Sequence, residues 1–276
     1  SYRAYSGIVT GLDAVYWINI LNEVPNGIMI SNIGKTAKAN VKSVRKIVEK
    51  DLVYPIVRGK DTKRWYFKPS IYILLPVSEN GKNLSESQLK TDFPKTYAFF
   101  KEFYVELINR KGEPFRTKLK SYREGGKARD PFYMLFNTSP SLSKYKVAWK
   151  HISGTISGKA EFSCCVITPV TDDFLGEKVS VQSHGLVIIP TQNKEEAHYL
   201  CSILNSSIIQ LIVSGYLLEV HVTTDIPKKV YLPTFDPKNP FHQKLSQLSQ
   251  KAHEIARGIY GENREDLKED LKRIEE

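Results

Sequence analysis

Residues 54–65 read YPIVRGKDTKRW, in which an apolar start leads into a run of cations around one glycine and closes at a tryptophan. The four cations are Arg58, Lys60, Lys63 and Arg64. They cannot all face a water-free core, and Gly59 lets the backbone turn sharply between them. The spacing alone fits two structures: a solvated turn between two strands with Trp65 packed back onto the sheet, or a loop that presents positive charge to a polyanion.

The charge of the whole chain favours the second of these structures. Its 276 residues include 40 Lys and Arg against 30 Asp and Glu, which gives a formal net charge of +10 and a pI near 9.3. A positive field of this size raises the association rate and the affinity for phosphate backbones. We therefore expect a polyanionic partner.

Residues 40–49 predict a short helix with a basic face. Its apolar positions recur at helical spacing, whereas the polar positions carry Lys42, Arg45 and Lys46. This face is a second candidate for phosphate contact.

Residues 113–129 form a third basic segment, interleaved with aromatic residues and interrupted by Gly125 and Gly126. A mobile loop of this composition suits a nucleic-acid backbone, and the alternative is a surface loop that is basic because the protein is. The candidate contacts here are Arg116, Lys118, Lys120, Tyr122, Arg123, Lys127 and Arg129.

Alternation along residues 144–152 predicts a strand with an aromatic face and a largely basic face, on which Lys150 is a further candidate contact. Farther on, residues 179–190 predict an apolar strand. In its polar section, Gln182, Ser183 and His184 could reach base edges, although a satisfied strand histidine is the simpler interpretation.

The remaining patterns predict an α+β fold, rich in mixed or antiparallel strands, with packed helices and a helical C-terminal element. Pro25, Asn26 and Gly27 mark the turn of a hairpin. Residues 85–107 and 194–212 are helical, with a new helix at Pro94 and an aromatic stripe that indicates burial. Residues 241–259 form an amphipathic helix and residues 264–276 a charged one.

Several classes of protein and site are disfavoured. No apolar run approaches a membrane span and no signal peptide opens the chain, while three cysteines indicate a reducing compartment, so a cytoplasmic location is expected. Cys164 and Cys165 are adjacent and point to opposite faces of a strand, which disfavours zinc. Glu219 with His221 is the only carboxylate–imidazole pair at strand spacing, and an ordinary surface pair explains it more simply.

Residues 55–65 resemble the signature P-x-x-R-G-x-D-I-x-R-[WY] of the target recognition domain of TaqI-like and type IIG N6-adenine DNA methyltransferases. Three more motifs are similar to that family in the same order. Residues 7–18 (GIVTGLDAVYWI) resemble its opening, with Asp13 in place of the usual Asn. Residues 199–206 (YLCSILNS) and 226–248 resemble its later elements.

The resemblance implies sequence-specific binding of double-stranded DNA without catalysis in this chain. The family's [ND]-P-P-[YF] tetrapeptide is missing, since residues 130–133 read DPFY, and so is the glycine-rich loop for S-adenosylmethionine. We expect that cofactor in a methyltransferase half in cis or in trans, and a start without Met fits a piece of a longer restriction-modification protein. Arginines bidentate to guanine are the first candidates for base readout: Arg58, Arg64, Arg123 and Arg129.

We expect residues 1–235 to form the recognition domain, with a subdivision near residues 80–130 left open, and residues 236–276 to form a helical packing or spacer element. Three rivals remain. One is an assembly module of a restriction-modification complex, and another is a non-specific nucleic-acid-binding domain. The third is a nuclease, although residues 124–127 (EGGK) place one residue too many between their charges for a nuclease motif.

Overall fold

A computed structural model describes residues 2–126, 128–151, 155–156, 159–160, 162–216 and 224–275. Its strands are β1 (Tyr5–Ser6), β2 (Trp17–Val24), β3 (Gly27–Asn32), β4 (Arg45–Val48), β5 (Val53–Val57), β6 (Thr62–Lys63), β7 (Tyr66–Phe67), β8 (Ile71–Leu74), β9 (Tyr145–Lys150), β10 (Thr155–Ile156), β11 (Lys159–Ala160), β12 (Cys164–Ile167), β13 (Val170–Asp172), β14 (Gly176–Lys178), β15 (Val181–Gln182) and β16 (Leu186–Thr191). Its helices are α1 (Asp13–Tyr16), α2 (Glu86–Asp92), α3 (Pro94–Lys101), α4 (Tyr104–Ile108), α5 (Phe115–Lys118), α6 (Lys120–Arg123), α7 (Thr138–Ser141), α8 (Lys194–Leu204), α9 (Ser207–Tyr216), α10 (Ile226–Lys229), α11 (Pro240–Gly261) and α12 (Lys268–Glu275). Single 3₁₀ turns span Lys50–Leu52, Gly59–Asp61 and Glu265–Leu267. The fold is α+β, as the sequence predicts.

A six-stranded sheet occupies the first half of the chain, in the order β15-β5-β8-β2-β3-β4. The predicted hairpin is confirmed: β2 and β3 pair through a turn in which Asn26 takes the left-handed conformation with φ 65°. Neighbouring strands are antiparallel except β15, which lies parallel to β5. The sheet therefore takes its last strand from a segment more than a hundred residues later in the chain.

The predicted helix over residues 40–49 is wrong, because this segment pairs with β3 as the edge strand β4. Val48 is fully buried opposite Ile28, so the apolar residues serve a sheet face and not a helix face. Four apolar positions in ten residues fit either period, and the partner strand decides between them.

A second, four-stranded sheet has the order β1-β16-β9-β12. It is antiparallel throughout, and β9 runs centrally between β16 and β12. The predicted strand over residues 144–152 is confirmed, but its basic face is not: Lys146 is fully buried, because β9 is covered on both faces.

Each sheet contributes to a core of its own. The first core packs the six-stranded sheet against α2, α3 and α4, where Phe99, Phe100 and Phe103 are fully buried, so the aromatic stripe is a core face as predicted. The second core packs the four-stranded sheet against α8 and α11. The predicted helix over residues 194–212 is two helices, since Asn205 ends α8 and turns its side chain to the backbone of Cys164.

Two chain segments cross side by side from one sheet to the other. The first runs from β1 through Gly7, whose N–H donates to the carbonyl of Leu186 at 2.9 Å, to Ile8, whose N–H donates to that of Gln182 at 2.9 Å. The second is the 183–185 link between β15 and β16, in which Ser183 N–H donates to Val57 O at 3.0 Å. We call this crossing the seam.

Candidate nucleic-acid interface

A cleft of about 530 Å³ opens at the seam. Gly59 and Gly185 contribute only backbone to its wall. The other lining residues all carry a basic side chain: Lys38, Lys60, Lys150, His151 and His184. The structure thus brings two predicted contacts, Lys60 and Lys150, together from segments ninety residues apart in the sequence.

Strand ends from both sheets position these groups. Gly59 and Lys60 follow the end of β5 in a 3₁₀ turn, and Lys150 is the last residue of β9. The N–H of His151 donates to Gly185 O at 3.0 Å, which joins the end of β9 to the seam. The cleft is therefore built on sheet ends held by backbone hydrogen bonds.

The lysines of the cleft are not paired with a carboxylate of the described residues. Among the described residues, Lys38, Lys60 and Lys150 form no ion pair, and Lys38 and Lys60 are exposed. The carboxylate of Asp13 lies 4.0 Å from Nδ1 of His184. Asp13 also accepts a hydrogen bond from the Thr10 hydroxyl at 2.5 Å, so much of its charge is directed towards the protein. Lys38, Lys60 and Lys150 consequently present positive charge that no ion pair with a described residue neutralises.

Arg58 holds the turn beside the cleft and does not line the cleft itself. Its backbone N–H and its Nε both donate to Oδ2 of Asp61 at 2.9 Å, and its guanidinium also bonds the Ser70 hydroxyl and lies over the ring of Trp17. The Arg58 side chain is 15% exposed. These contacts fix the conformation of the turn that carries Gly59 and Lys60.

Lys63 and Arg64 lie under the C-terminal helices. Arg64 Nε is 3.1 Å from a carboxylate oxygen of Glu275, and its terminal nitrogen donates to Asn205 O at 2.7 Å. The ammonium of Lys63 sits 3.9 Å from the centre of the Tyr260 ring. Trp65 packs back into the second core with its indole N–H on Glu275 at 2.7 Å, so the first interpretation of residues 54–65 holds for this end of the segment.

The basic segment 113–129 contains two one-turn helices, α5 and α6, where a mobile loop is predicted. It is anchored because Phe115 and Leu119 are buried against Met134. Most of its cations have partners within the protein: Arg116 with Glu113, Lys118 with Asp130, Lys120 with Glu124, and Arg123 with the carbonyls of Ile108 and Arg116. Arg129 is exposed, and Lys127 lies outside the described residues.

Tyr122 belongs to the edge of the first core. Its hydroxyl donates to a carboxylate oxygen of Glu86 at 2.6 Å, and its ring meets that of Tyr104 edge-on. Burial, followed by this hydrogen bond, raises the pKa of Tyr122 above its ordinary value. The hydroxyl and the ring of Tyr122 therefore make their contacts with residues of the protein itself.

A short turn at residues 9–13 joins the 113–129 segment to the cleft. Val9 forms an antiparallel bridge to Phe136, whose ring packs on that of Phe115. Gly11, at φ +68°, lets the turn lie directly against Phe115, since a Cβ there would be 2.6 Å from the ring. The turn ends at Asp13, which faces His184. The turn therefore links the buried anchor of the 113–129 segment to His184 of the cleft.

The cations of the 40–49 segment surround a single carboxylate. Lys46 and Lys42 lie 2.7 and 3.0 Å from the two oxygens of Glu102, and their hydrogen bonds lower the pKa of that carboxyl to about 2. Arg45 is exposed. These lysines retain a net positive charge around Glu102 at the far edge of the six-stranded sheet.

Sequence patterns did not identify Lys38 and Gly185 as site residues. Gly185 lies in the short link between β15 and β16, and the pairing of β15 with β5 and of β16 with β9 brings it beside Gly59 and Lys150. Lys38 lies in the connection between β3 and β4, where no motif marks it. His184 was singled out from its polar setting, whereas Gln182 and Ser183 beside it are buried and cannot reach bases. Long-range strand pairing is the missing information.

Other kinds of site find little support in the described part of the chain. It holds no group of three or more metal-binding side chains, and Glu219 and His221 lie outside it. Cys164 and Cys201 are buried as thiols with their sulfurs 3.5 Å apart. None of the described helices combines the length and apolarity that crossing a membrane requires.

No protein-family model matches the chain, and no curated protein matches it. A solved structure similar to it is that of the type IIL restriction-modification enzyme MmeI in complex with DNA, with 10% sequence identity and a TM-score of 0.49. The similarity covers 82% of this chain and 27% of that one, so this chain spans about a quarter of that enzyme. At these values the similarity by itself assigns no function.

Proposed function

We propose that this chain is a target recognition domain, which binds a short sequence in double-stranded DNA for a catalytic half located elsewhere in the same polypeptide or on a partner. The observation that carries the proposal is the cleft at the seam, where Lys38, Lys60 and Lys150 lie without ion-pair partners among the described residues. Lysines left unpaired in a concave site fit a ligand that brings its own negative charge.

The arrangement around the cleft supports a long ligand. The 113–129 segment contacts the turn at residues 9–13, and that turn contacts His184 of the cleft, so the two basic regions are connected. A duplex presents a phosphate every few ångströms along its axis, so it can meet separated basic regions at once, whereas a small anion meets one.

The finer assignment, to an N6-adenine DNA methyltransferase or a fused restriction-modification enzyme, rests on the four motifs of the sequence. On this proposal the chain alone does not catalyse methyl transfer, and S-adenosylmethionine binds in the catalytic half. The second candidate is an assembly module. The observation that favours it is the exposure of the large apolar side chain of Ile208 on α9.

The test is selection from a randomised duplex pool at two salt concentrations, with matched single-stranded DNA and RNA. We expect an enriched motif of a few base pairs and an affinity that falls steeply as salt rises. Lys60→Ala and Lys150→Ala should weaken the binding. Lys244→Ala, at an exposed position of α11, is the matched control and should leave it unchanged.

Equal binding of every polyanion, with no enriched motif, would contradict sequence recognition and support non-specific binding. Absence of any nucleic-acid binding would leave the assembly module as the better proposal.

A further inference from the structure

We propose that the cleft at the seam holds the sugar–phosphate backbone of one DNA strand and does not read bases. This inference rests on the proposed function and assigns a chemical role to the cleft within it. It predicts that Lys60 and Lys150 set the position of the duplex, while sequence is read elsewhere.

The first reason is the chemistry of the lining. Base edges are distinguished by side chains that pair two groups at once, such as Arg on guanine or Asn and Gln on adenine. Among the described residues that line the cleft, none is of these types. A lysine ammonium is a compact charge without directional pairing, which suits a phosphate.

The second reason is the wall formed by Gly59 and Gly185. A Cβ built on Gly59 meets only the carbonyl oxygen of Gly185, at 3.8 Å, so the space above the backbone is open. A bulky group that needs no side chain from these two residues can approach that backbone closely. The deoxyribose and phosphate of a strand are such a group, whereas a base edge would find no side chain to recognise it.

The third reason is that the nearest arginine is already engaged. Arg58 directs its guanidinium to Asp61 and Ser70, beside the cleft and not into it. Arg64 is likewise directed to Glu275 and Asn205. The cleft is thus served by lysine and histidine alone.

The experiment measures affinity for the selected duplex with single phosphates replaced, one at a time, by neutral methylphosphonates. One or two positions should lower the affinity of the wild-type chain roughly tenfold, because a charged hydrogen-bonding partner is lost. At one of these positions the methylphosphonate should have little further effect on the affinity of the Lys60→Ala variant. At the same or a neighbouring position it should have little further effect on the affinity of the Lys150→Ala variant. Each variant should also reduce the slope of log affinity against log salt by about 0.9.

The selected motif supplies the second readout. Lys60→Ala and Lys150→Ala should weaken binding to all duplexes by the same factor and leave the motif unchanged. Relaxed preference at one base pair in either variant would overturn the proposal and make that lysine a base reader. If the wild-type chain binds no duplex, the proposed function itself fails, which is a different result.

Gly59→Ala tests the cleft without removing a charge. The new methyl group makes ordinary contact at 3.8 Å, so the fold should tolerate it, and thermal unfolding checks this. It should reduce duplex affinity by crowding the strand. Unchanged affinity with Gly59→Ala, together with unchanged sensitivity of Lys60→Ala to every methylphosphonate, would place the backbone elsewhere.

Discussion

Lys146 is fully buried in the middle of the second sheet, and its ammonium nitrogen lies 2.7 Å from the carbonyl oxygens of both Ser141 and Ser180. Burial lowers the pKa of Lys146 to about 7. The neutral amine still has two N–H groups, so it can donate to both carbonyls without a charge. Its protonation state therefore depends on pH in the neutral range.

This gives a prediction for the pH dependence of stability. Below about pH 7 Lys146 carries its proton in the folded and the unfolded chain, and burial of the charge destabilises the fold in full. As the pH rises towards the ordinary lysine pKa of about 10.4, only the unfolded chain retains the proton, so the free energy of unfolding should rise. Urea unfolding between pH 7 and 9.5 should show this increase, and Lys146→Met should remove much of it.

Lys144→Met is the control, because Lys144 is exposed on the same segment. An identical pH profile for the wild-type chain and Lys146→Met would show that Lys146 titrates in the folded chain as it does in the unfolded one.

Arg110 is a second buried cation, and burial lowers its pKa. Its guanidinium donates to the carbonyls of Leu107, Thr10, Met134 and Phe132 at 2.6–3.0 Å. It thereby ties the turn at residues 9–13 to residues 132–134, which follow the 113–129 segment.

We predict that Arg110→Ala lowers the free energy of unfolding by about 3–5 kcal/mol, because it leaves buried carbonyls without donors. Arg110→Lys should recover little, since an ammonium cannot reproduce the planar fork. Chemical denaturation measures both, with the exposed Lys111→Ala as control. A loss below about 1 kcal/mol would mean that water replaces the guanidinium.

At this scale the sequence predicts which residues are cationic but not what each one contacts. The sequence predicts Arg64 as a base-reading arginine, yet the guanidinium pairs with Glu275, near the C-terminal end of the sequence. Trp65, beside it, bonds the same carboxylate across 210 residues. No local pattern encodes such a contact.

Helices whose first residues carry a capping signal or a proline are predicted correctly from the sequence. Helices α2 and α3 begin where Ser85 forms a capping box with Gln88 and where Pro94 starts a new helix. The edge strand β4 was predicted as a helix because its partner β3 decides its conformation. Local signals therefore suffice for helices with caps and fail for short edge strands.

The two crossing segments of the seam approach each other most closely at Gly7. A Cβ on Gly7 would lie 2.6 Å from the carbonyl carbon of Ser183 and closer still to its oxygen, and both groups are backbone. We predict that Gly7→Ala separates the two crossing segments and destabilises the fold by about 1–3 kcal/mol or more.

Thermal unfolding measures the effect. Gly185→Ala in the same seam is the matched control, since its methyl group would lie at an ordinary 3.6 Å from the Ser183 hydroxyl. Equal melting temperatures for the two variants would show that the seam accommodates a methyl group at position 7 despite the short distances there.

For the molecule as a whole, composition predicts the sign of its field, and the strand and helix patterns along the chain predict the α+β class. The position of the cleft could not be predicted, because it arises where residues 5–9 meet residues 182–188. Pairings at such separation follow from the global topology. They leave no periodicity within either segment.

The C-terminal element, residues 236–276, contributes α11 to the second core. Ala252 and Ala256 of α11 are fully buried, and His253 accepts a hydrogen bond from Val166 N–H of β12 at 2.9 Å. We expect a chain that ends at residue 235 to lose the cooperative unfolding of the second core. A chain that ends at residue 262 should keep it, since α12 contributes only partly buried side chains.

Calorimetry and limited proteolysis of the two truncated chains distinguish these outcomes. A cooperative transition of full size in the 235-residue chain would show that residues 236–276 are a separable spacer, as the sequence alone suggested.

The seam has a mechanical consequence for any duplex that occupies the cleft. Both crossing segments are hydrogen-bonded to strands of the two sheets, so widening the cleft would break backbone hydrogen bonds and not merely rotate side chains. The spacing of the cleft lysines is then preorganised, and the nucleic acid must deform to match it. Steps that bend easily will do so at a lower elastic energy than stiff ones. Base pairs outside the recognised motif would in this way modulate affinity, while the motif itself is read elsewhere in the protein.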